Sequence, residues 1–219
     1  MRRFTQDSFL LAVAVGCLLS MTAQLRAETE DEILQQIKTS TSPMEKAWLC
    51  RNLKFMKTGK SIPVIKEFLT DKDTSFSARM ALETISCPHA DDALREAVGK
   101  TTGLTQAGII ESIGVRRDPK AVGILVPLLQ GQDLDVVSAA ARTLGKIGND
   151  EAVSGLSSAL QNSGGKMQVA IAEGCLLAAE NLAKAGKPGA AKDIYLAVYR
   201  ACPDHRPIHL AAMQGVGNI

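Results

Sequence analysis

Hydrophobic residues recur along much of this chain at a helical spacing, in segments that are separated by polar turns. The stretch 133–160, DLDVVSAAARTLGKIGNDEAVSGLSSAL, shows the pattern clearly. Its apolar positions lie three and four residues apart, which is typical of amphipathic helices, and Gly148 marks a turn between two of them. The stretch therefore predicts one helical hairpin.

The same hairpin recurs with a period of 31 residues, because equivalent helices are predicted to begin at Pro88, Pro119 and Asp150. Their apolar positions keep this register, and the equivalent sets are Leu94, Leu125 and Leu156; Val98, Leu129 and Leu160; and Ile113 and Leu144. A hairpin of this size cannot bury its apolar face alone, so successive hairpins are expected to stack and share one core. We predict an all-α fold, an α/α superhelix (α-solenoid) of about six stacked helical hairpins.

The residues of this repeat resemble those of HEAT repeat proteins, in the short form found in bilin lyases and many bacterial scaffold proteins. The resemblance is carried by Val136, the alanines 139–141, Leu144-Gly145 and Ala152-Val153, and it covers residues 43–165. It implies a solenoid that binds a protein partner along a helical groove. In the segment 166–219, a tetratricopeptide-like spacing predicts longer terminal hairpins; it comprises Ala179, Leu182, Gly186, Ala191, Tyr195, Val198 and Pro203.

The first 27 residues differ from the repeats and are typical of a secretory signal. Two arginines precede an apolar run at 9–21, and small residues follow up to Ala27. The run is shorter than the roughly 20 residues that span a bilayer. We therefore predict cleavage after Ala27, a periplasmic or secreted domain at 28–219 and no stable membrane insertion after cleavage. A lipoprotein anchored at Cys17 is the alternative.

Charge and composition narrow the class of partner. Removal of residues 1–27 takes away 3 of 25 basic and 1 of 23 acidic residues, which leaves 22 of each. Nucleic-acid binders gain most of their affinity from a basic excess, so a neutral exported domain disfavours that class. The expected partner is a protein. With 46% hydrophobic residues the chain can also bury a substantial core.

One polar feature follows the repeat: a charged residue lies two positions before an equivalent apolar position in five successive units. This charged row consists of Arg51, Glu83, Glu111, Arg142 and Glu173. Stacking should bring its members onto one face, where they form either a solvated ladder of ion pairs or the lining of a concave groove that reads charges on a bound protein segment. Arg116 and Arg117, at a turn between repeats, are predicted to be exposed and are a second binding candidate.

The cysteines and histidines offer little support for a metal site. Cys50, Cys87, Cys175 and Cys202 remain after signal removal, and either buried thiols or one disulfide fit their positions. The spacing of Cys202, His205 and His209 resembles that of zinc ligands, but prolines at 203 and 207 interrupt it. A loop between helices is the favoured interpretation, and no metal is expected.

No pattern of catalytic residues is evident in the sequence. His-Glu pairs, which HEAT-like iron hydroxylases use as ligands, do not occur, and neither does a glycine-rich phosphate loop or a serine-centred elbow. We therefore predict an exported scaffold without a cofactor. Two alternatives stay open: a repeat module of a larger exported enzyme or complex, and an enzyme related to bilin lyases.

Overall fold

The computed structural model describes residues 29–56 and 58–219, and every regular element in this part of the chain is helical. The predicted signal segment 1–27 and the alternative anchor Cys17 lie outside the described residues. Within the described part, no helix combines the length and apolar character needed to cross a membrane.

The helices follow one another through short turns. In chain order they are α1 (Glu30–Thr39), α2 (Pro43–Leu53), α3 (Ile62–Glu67), α4 (Ser75–Thr84), α5 (Pro88–Val98), α6 (Gly103–Arg116), α7 (Val122–Leu125), α8 (Leu134–Ile147), α9 (Asp150–Asn162), α10 (Gly165–Lys184), α11 (Pro188–Ala201) and α12 (Arg206–Gly217). Two 3₁₀ turns, Pro119–Ala121 and Val126–Gln130, flank α7 and complete one helical arm at 119–130.

These helices pair into stacked hairpins. The first helices of the hairpins, α2, α4, α6, α8 and α10, pack side by side, and the second arms form the neighbouring layer. Among the described residues there are five complete hairpins, with α1 and α12 as additional helices at the two ends. The all-α solenoid predicted from the sequence is therefore confirmed.

The predicted register is also correct. Helices α5 and α9 begin at Pro88 and Asp150, and the arm between them begins at Pro119. All of the equivalent apolar positions are buried: Leu94, Leu125, Leu156, Val98, Leu129, Leu160, Ile113 and Leu144. They belong to one continuous core that runs through the whole stack.

Side-chain caps account for several helix starts. The Asp133 carboxylate accepts hydrogen bonds from the backbone N–H groups of Asp135 and Val136, and the Asn149 side chain accepts one from Ala152. Such caps satisfy N–H groups that have no partner inside the helix. Helix α8 ends at Gly148, whose φ of 63° is left-handed. Asp133–Leu160 thus forms the hairpin predicted for it.

The arm at 119–130 departs from a regular α-helix. Pro127 has no N–H group, so it cannot donate the helical hydrogen bond to the carbonyl of Gly123. The chain tightens into a 3₁₀ turn at Val126–Gln130 instead. Leu125 and Leu129 are nevertheless buried, so the arm keeps its place in the stack.

Helices α8 and α10 make an especially close approach, because small residues face each other. A Cβ atom at Gly174 would lie 2.4 Å from the carbonyl oxygen of Ala141, and one at Gly145 would lie 2.5 Å from the carbonyl oxygen of Gly174. The Asn181 side chain also donates a 2.9 Å hydrogen bond to the carbonyl of Gly145. Backbone contact therefore fixes the spacing of these two hairpins.

Candidate functional site

The charged row lies on the first helices of successive hairpins. Its central pair joins two repeats: the Arg142 guanidinium on α8 donates a 2.7 Å hydrogen bond to the carboxylate of Glu111 on α6. Both side chains are close to half exposed, at 40% and 48%. A solvated ion pair of this kind stabilises a fold by only about 0–1 kcal/mol. Its charges are compensated, yet they remain accessible at the surface.

Glu83 is linked to the next repeat through Ser112. The Ser112 hydroxyl donates a 2.7 Å hydrogen bond to the Glu83 carboxylate. The guanidinium of Arg79, one turn earlier on α4, donates to the carbonyl of Gly108 at 2.7 Å and to the Ser112 hydroxyl at 3.3 Å. Arg79 thus supplies a positive charge between Glu83 and Glu111, and sequence reasoning did not identify it.

The position of Arg79 depends on a glycine of the next repeat. A Cβ atom at Gly108 would come within 2.6 Å of the Arg79 guanidinium carbon. The same guanidinium also lies 5.6 Å from the centre of the Phe76 ring, a cation–π distance. Burial lowers the pKa of Arg79, and the carboxylates of Glu83 and Glu111 oppose that shift. The only sign of this arrangement in the sequence is the glycine at position 108, which leaves room for the Arg79 side chain. That room can be recognised only when the packing of α4 against α6 is known.

Arg51 and Glu173, near the two ends of the row, are exposed. Neither forms an ion pair with any residue that the structure describes. The structure therefore divides the row into a paired centre, from Glu83 to Arg142, and two accessible ends.

Large apolar residues are exposed in register with the row. Met44, Phe76 and Leu104 each lie seven residues before a row member, on α2, α4 and α6, and their exposed fractions are 83%, 57% and 76%. Residues seven positions apart share a helix face. Three further large apolar side chains are exposed on or next to these helices: Trp48 on α2, Phe55 in the turn after α2, and Val115 on α6. We call these six residues, together with the charged row, the first-helix surface.

An extended apolar surface of this kind is unusual for a protein without partners. Single exposed apolar side chains are normal, but aligned sets at the surface mark interaction sites. On the first-helix surface, Met44, Phe76 and Leu104 occupy equivalent positions on the first helices of three successive hairpins. Sequence reasoning singled out the charges of this surface and missed the apolar residues beside them.

The sequence analysis predicted that Arg116 is exposed at a turn, and this prediction is wrong. Its side chain is only 10% exposed and forms an ion pair with Asp91. It also donates hydrogen bonds to backbone carbonyls at the end of α4, those of Leu82 at 2.7 Å, Ile85 at 2.8 Å and Cys87 at 3.2 Å. The ion pair and these hydrogen bonds hold the Arg116 side chain against the end of α4.

Arg117, the neighbouring candidate, is exposed as predicted. It is the left-handed C-cap residue of α6, with a φ of 52°. Only the first of the two arginines is therefore removed from the candidate surface.

The Cys202, His205 and His209 spacing does not assemble ligands around a common point. The ring of His205 accepts a hydrogen bond from the N–H of Ile208 and caps α12, whereas His209 stacks on Tyr199 with ring centres 3.9 Å apart. Across the described residues, no group of three or more histidine, cysteine or acidic side chains is placed to hold a metal ion.

The four described cysteines are free thiols. Cys50, Cys175 and Cys202 are buried, and Cys87 is half-buried. Burial raises the pKa of Cys50 and of Cys175 to about 12 each. Thiols of this kind behave as small hydrophobic side chains and carry little thiolate at neutral pH. The sequence left open either buried thiols or one disulfide, and the structure shows free thiols.

Part of the chain matches a known repeat family. Residues 92–173 match the family model described as HEAT repeats, so the predicted HEAT-repeat resemblance is confirmed for this part of the chain.

A solved structure similar to the chain is a crystal structure of an engineered protein from the Northeast Structural Genomics Consortium. It shares 19% sequence identity, with a TM-score of 0.45, and the match covers 85% of this chain and 96% of that one. No curated protein matches the chain.

Proposed function

We propose that this protein is an exported scaffold that binds a protein partner along the first-helix surface. The single observation that supports the proposal most is the alignment of exposed apolar residues on α2, α4 and α6, the first helices of three successive hairpins. Met44, Phe76 and Leu104 repeat with the period of the hairpins. A partner segment that crosses the stack would bury one of them at each step.

The charged row would then contribute orientation rather than most of the affinity. Rim charges chiefly affect association rate and register, whereas burial of large apolar side chains contributes more to affinity. Glu83 and Glu111 follow Phe76 and Leu104 on the same helices, and Arg142 lies on the next first helix, so a partner that crosses the stack would meet charges of both signs. The arrangement favours a protein segment that is apolar and carries charges of both signs.

A double variant tests the proposal. Met44→Ser and Leu104→Ser together remove two highly exposed apolar side chains, and because both are exposed the change should leave stability within about 0.5 kcal/mol of the parent. Immobilised parent protein, incubated with the exported fraction, should retain a partner that the double variant loses. Met213→Ser is the matched control, since Met213 is half exposed on α12 and lies outside the first-helix surface.

The captured partner must also protect the surface. Hydrogen exchange of the complex should slow at α2, α4 and α6 relative to the free protein. Equal capture by the double variant and the parent, or protection confined to the second arms, would rule out this binding surface.

The role of the row has a separate test. Exchanging the two charges, with Glu111→Arg and Arg142→Glu, keeps an ion pair but reverses its direction. If the row reads charges on the partner, this exchange should weaken partner binding while the melting temperature stays nearly unchanged. If binding is also unchanged, the pair serves only to join α6 to α8.

Export is part of the same proposal and rests on the sequence pattern of residues 1–27. Expression of the full chain in a bacterial host should deliver a periplasmic or secreted product whose first residue is Glu28. Retention of the full-length chain in the cytoplasm would contradict the proposal. A lipid-modified product that begins at Cys17 would favour the anchored alternative.

A further inference from the structure

A cavity of about 610 Å³ lies where the charged row ends. It is formed by the beginning of α8, the first turns of α10 and the loop between α11 and α12. Glu173, the last member of the row, lines this terminal pocket, so the pocket continues the first-helix surface. Its size falls within the roughly 300–1,000 Å³ of typical ligand sites, which is enough for a short stretch of extended chain.

The charged groups of the pocket are not compensated by the fold. Glu173 and Asp204 contribute two carboxylates and Lys166 contributes one ammonium group, and none of the three is paired with another residue in the described chain. The His205 ring, which also lines the pocket, accepts a hydrogen bond from the backbone N–H of Ile208. The two carboxylates and the one ammonium group together have a formal charge of −1.

The remaining walls are apolar. Leu134 on α8 and Val169 on α10 line one side, and Ala201 and Pro203 line another. A pocket that combines apolar walls with unpaired carboxylates suits a long cationic side chain, because the aliphatic stem packs against the walls while the charged head meets the carboxylates. Arginine fits this chemistry especially well, since its planar guanidinium is weakly hydrated and can donate two parallel hydrogen bonds to one carboxylate.

We propose that the terminal pocket binds an arginine or lysine side chain, flanked by apolar residues, from an extended segment of the protein partner. This inference rests on the proposed scaffold function and specifies one anchor residue of its partner. Glu173 and Asp204 bind the cation, and Leu134 and Val169 contact the apolar residues beside it. Lys166, in the first turn of α10, opposes the cation and limits the affinity.

The experiment uses the mature full-length domain and a defined probe, an acetylated and amidated Leu-Arg-Leu peptide. Titration is followed by the backbone amide NMR signals of Ser138 and Val169. We expect saturable shifts at both positions. Replacement of arginine by citrulline keeps the shape and removes the charge. It should weaken binding by up to about fivefold, the effect expected when one exposed ion pair of at most about 1 kcal/mol is lost. A Leu-Glu-Leu peptide should bind still more weakly.

Variants assign the effect to individual residues. Glu173→Gln should weaken binding of the arginine peptide by up to about fivefold, and Lys166→Gln should strengthen it, because a repulsive charge is removed. Glu180→Gln is the matched control: Glu180 is exposed on the same helix and lies outside the terminal pocket, so affinity should not change.

Three results would overturn the proposal. The first is an absence of saturable shifts with the arginine peptide, and the second is equal affinity for the arginine and citrulline peptides. The third is stronger binding of the glutamate peptide than of the arginine peptide, which would identify an anion site at Lys166. The titration does not involve Met44 or Leu104. Loss of partner capture in the Met44 and Leu104 double variant, with an inert pocket, would therefore refute this inference alone.

Discussion

The close backbone contact between α8 and α10 gives a sharp prediction about stability. Gly174→Ala adds a Cβ atom 2.4 Å from the carbonyl oxygen of Ala141 and 2.9 Å from its Cβ atom. Ordinary van der Waals contact begins near 3.4 Å. The two helix backbones would therefore have to separate by about 1 Å, since neither neighbouring atom belongs to a flexible side chain and packed interiors resist such expansion.

The expected magnitude is the difference between two opposing effects. Overpacking of a tight contact costs about 1–3 kcal/mol, and a rigid backbone contact belongs at the upper end of that range. Replacement of a helical glycine by alanine returns about 1 kcal/mol in helix propensity. Gly174→Ala should therefore destabilise the protein by about 2 kcal/mol, which for a domain of this size lowers the melting temperature by roughly 4–8 °C.

Gly189→Ala provides the control, because Gly189 lies in the first turn of α11 and an added Cβ atom there meets nothing within 4 Å. This substitution should be neutral or stabilising by up to about 1 kcal/mol. The assay is urea denaturation of the mature domain, followed by circular dichroism and compared by midpoint, since repeat proteins need not unfold in two states. If Gly174→Ala and Gly189→Ala shift the midpoint alike, the close approach of α8 and α10 does not limit stability.

A second substitution tests the same contact from α8. Gly145→Ala would place a Cβ atom 2.5 Å from the carbonyl oxygen of Gly174, so it should also destabilise. Once either substitution has separated the helices, the other meets less resistance. The double variant should therefore lose less stability than the sum of the single losses. Strict additivity would indicate two independent local strains rather than one shared helix spacing.

Two further predictions concern the interior. Arg116→Met should lower the free energy of unfolding by about 2–3 kcal/mol in urea denaturation, because it removes the ion-pair partner of Asp91 and three hydrogen bonds to backbone carbonyl groups. Arg117→Met, at the exposed neighbour, should change the free energy of unfolding by less than about 0.5 kcal/mol. Equal effects of the two substitutions would contradict the structural role of Arg116. An alkylating reagent should modify Cys87 in the native protein before Cys50 and Cys175, because burial raises the pKa of each of the latter two thiols to about 12. Mass spectrometry identifies the modified residues. Fast labelling of Cys50 or Cys175 in the native protein would show that the thiol is not buried.

The fold could be predicted because its main signal is local and repeated. Leu94, Leu125 and Leu156 occupy the same place in successive arms, and every one is buried. Each copy of the repeat confirms the others, so even the irregular arm at 119–130, disrupted by Pro127, was assigned correctly. A periodic pattern of this kind needs no knowledge of how helices are oriented in space.

The surface was harder to predict, since it depends on contacts between repeats. Arg116 looks like a turn residue in the sequence. It is buried because α4 ends at Thr84 and leaves carbonyl groups that an arginine of the next hairpin can reach. Arg79 likewise acquires its position from Gly108, 29 residues later. Neither interaction follows from a helix considered alone, because both need the offset between neighbouring helices.

The close contact of α8 and α10 also connects stability to the proposed binding. These two helices carry Arg142, the last paired residue of the row, and Glu173 in the terminal pocket. Since Gly174 is adjacent to Glu173, a change in helix spacing at Gly174 would displace the Glu173 carboxylate relative to Leu134 on α8. Gly174→Ala should therefore weaken binding of the arginine peptide even below its unfolding temperature, whereas Gly189→Ala should not. A glycine that packs two backbones together thereby also sets the width of a pocket.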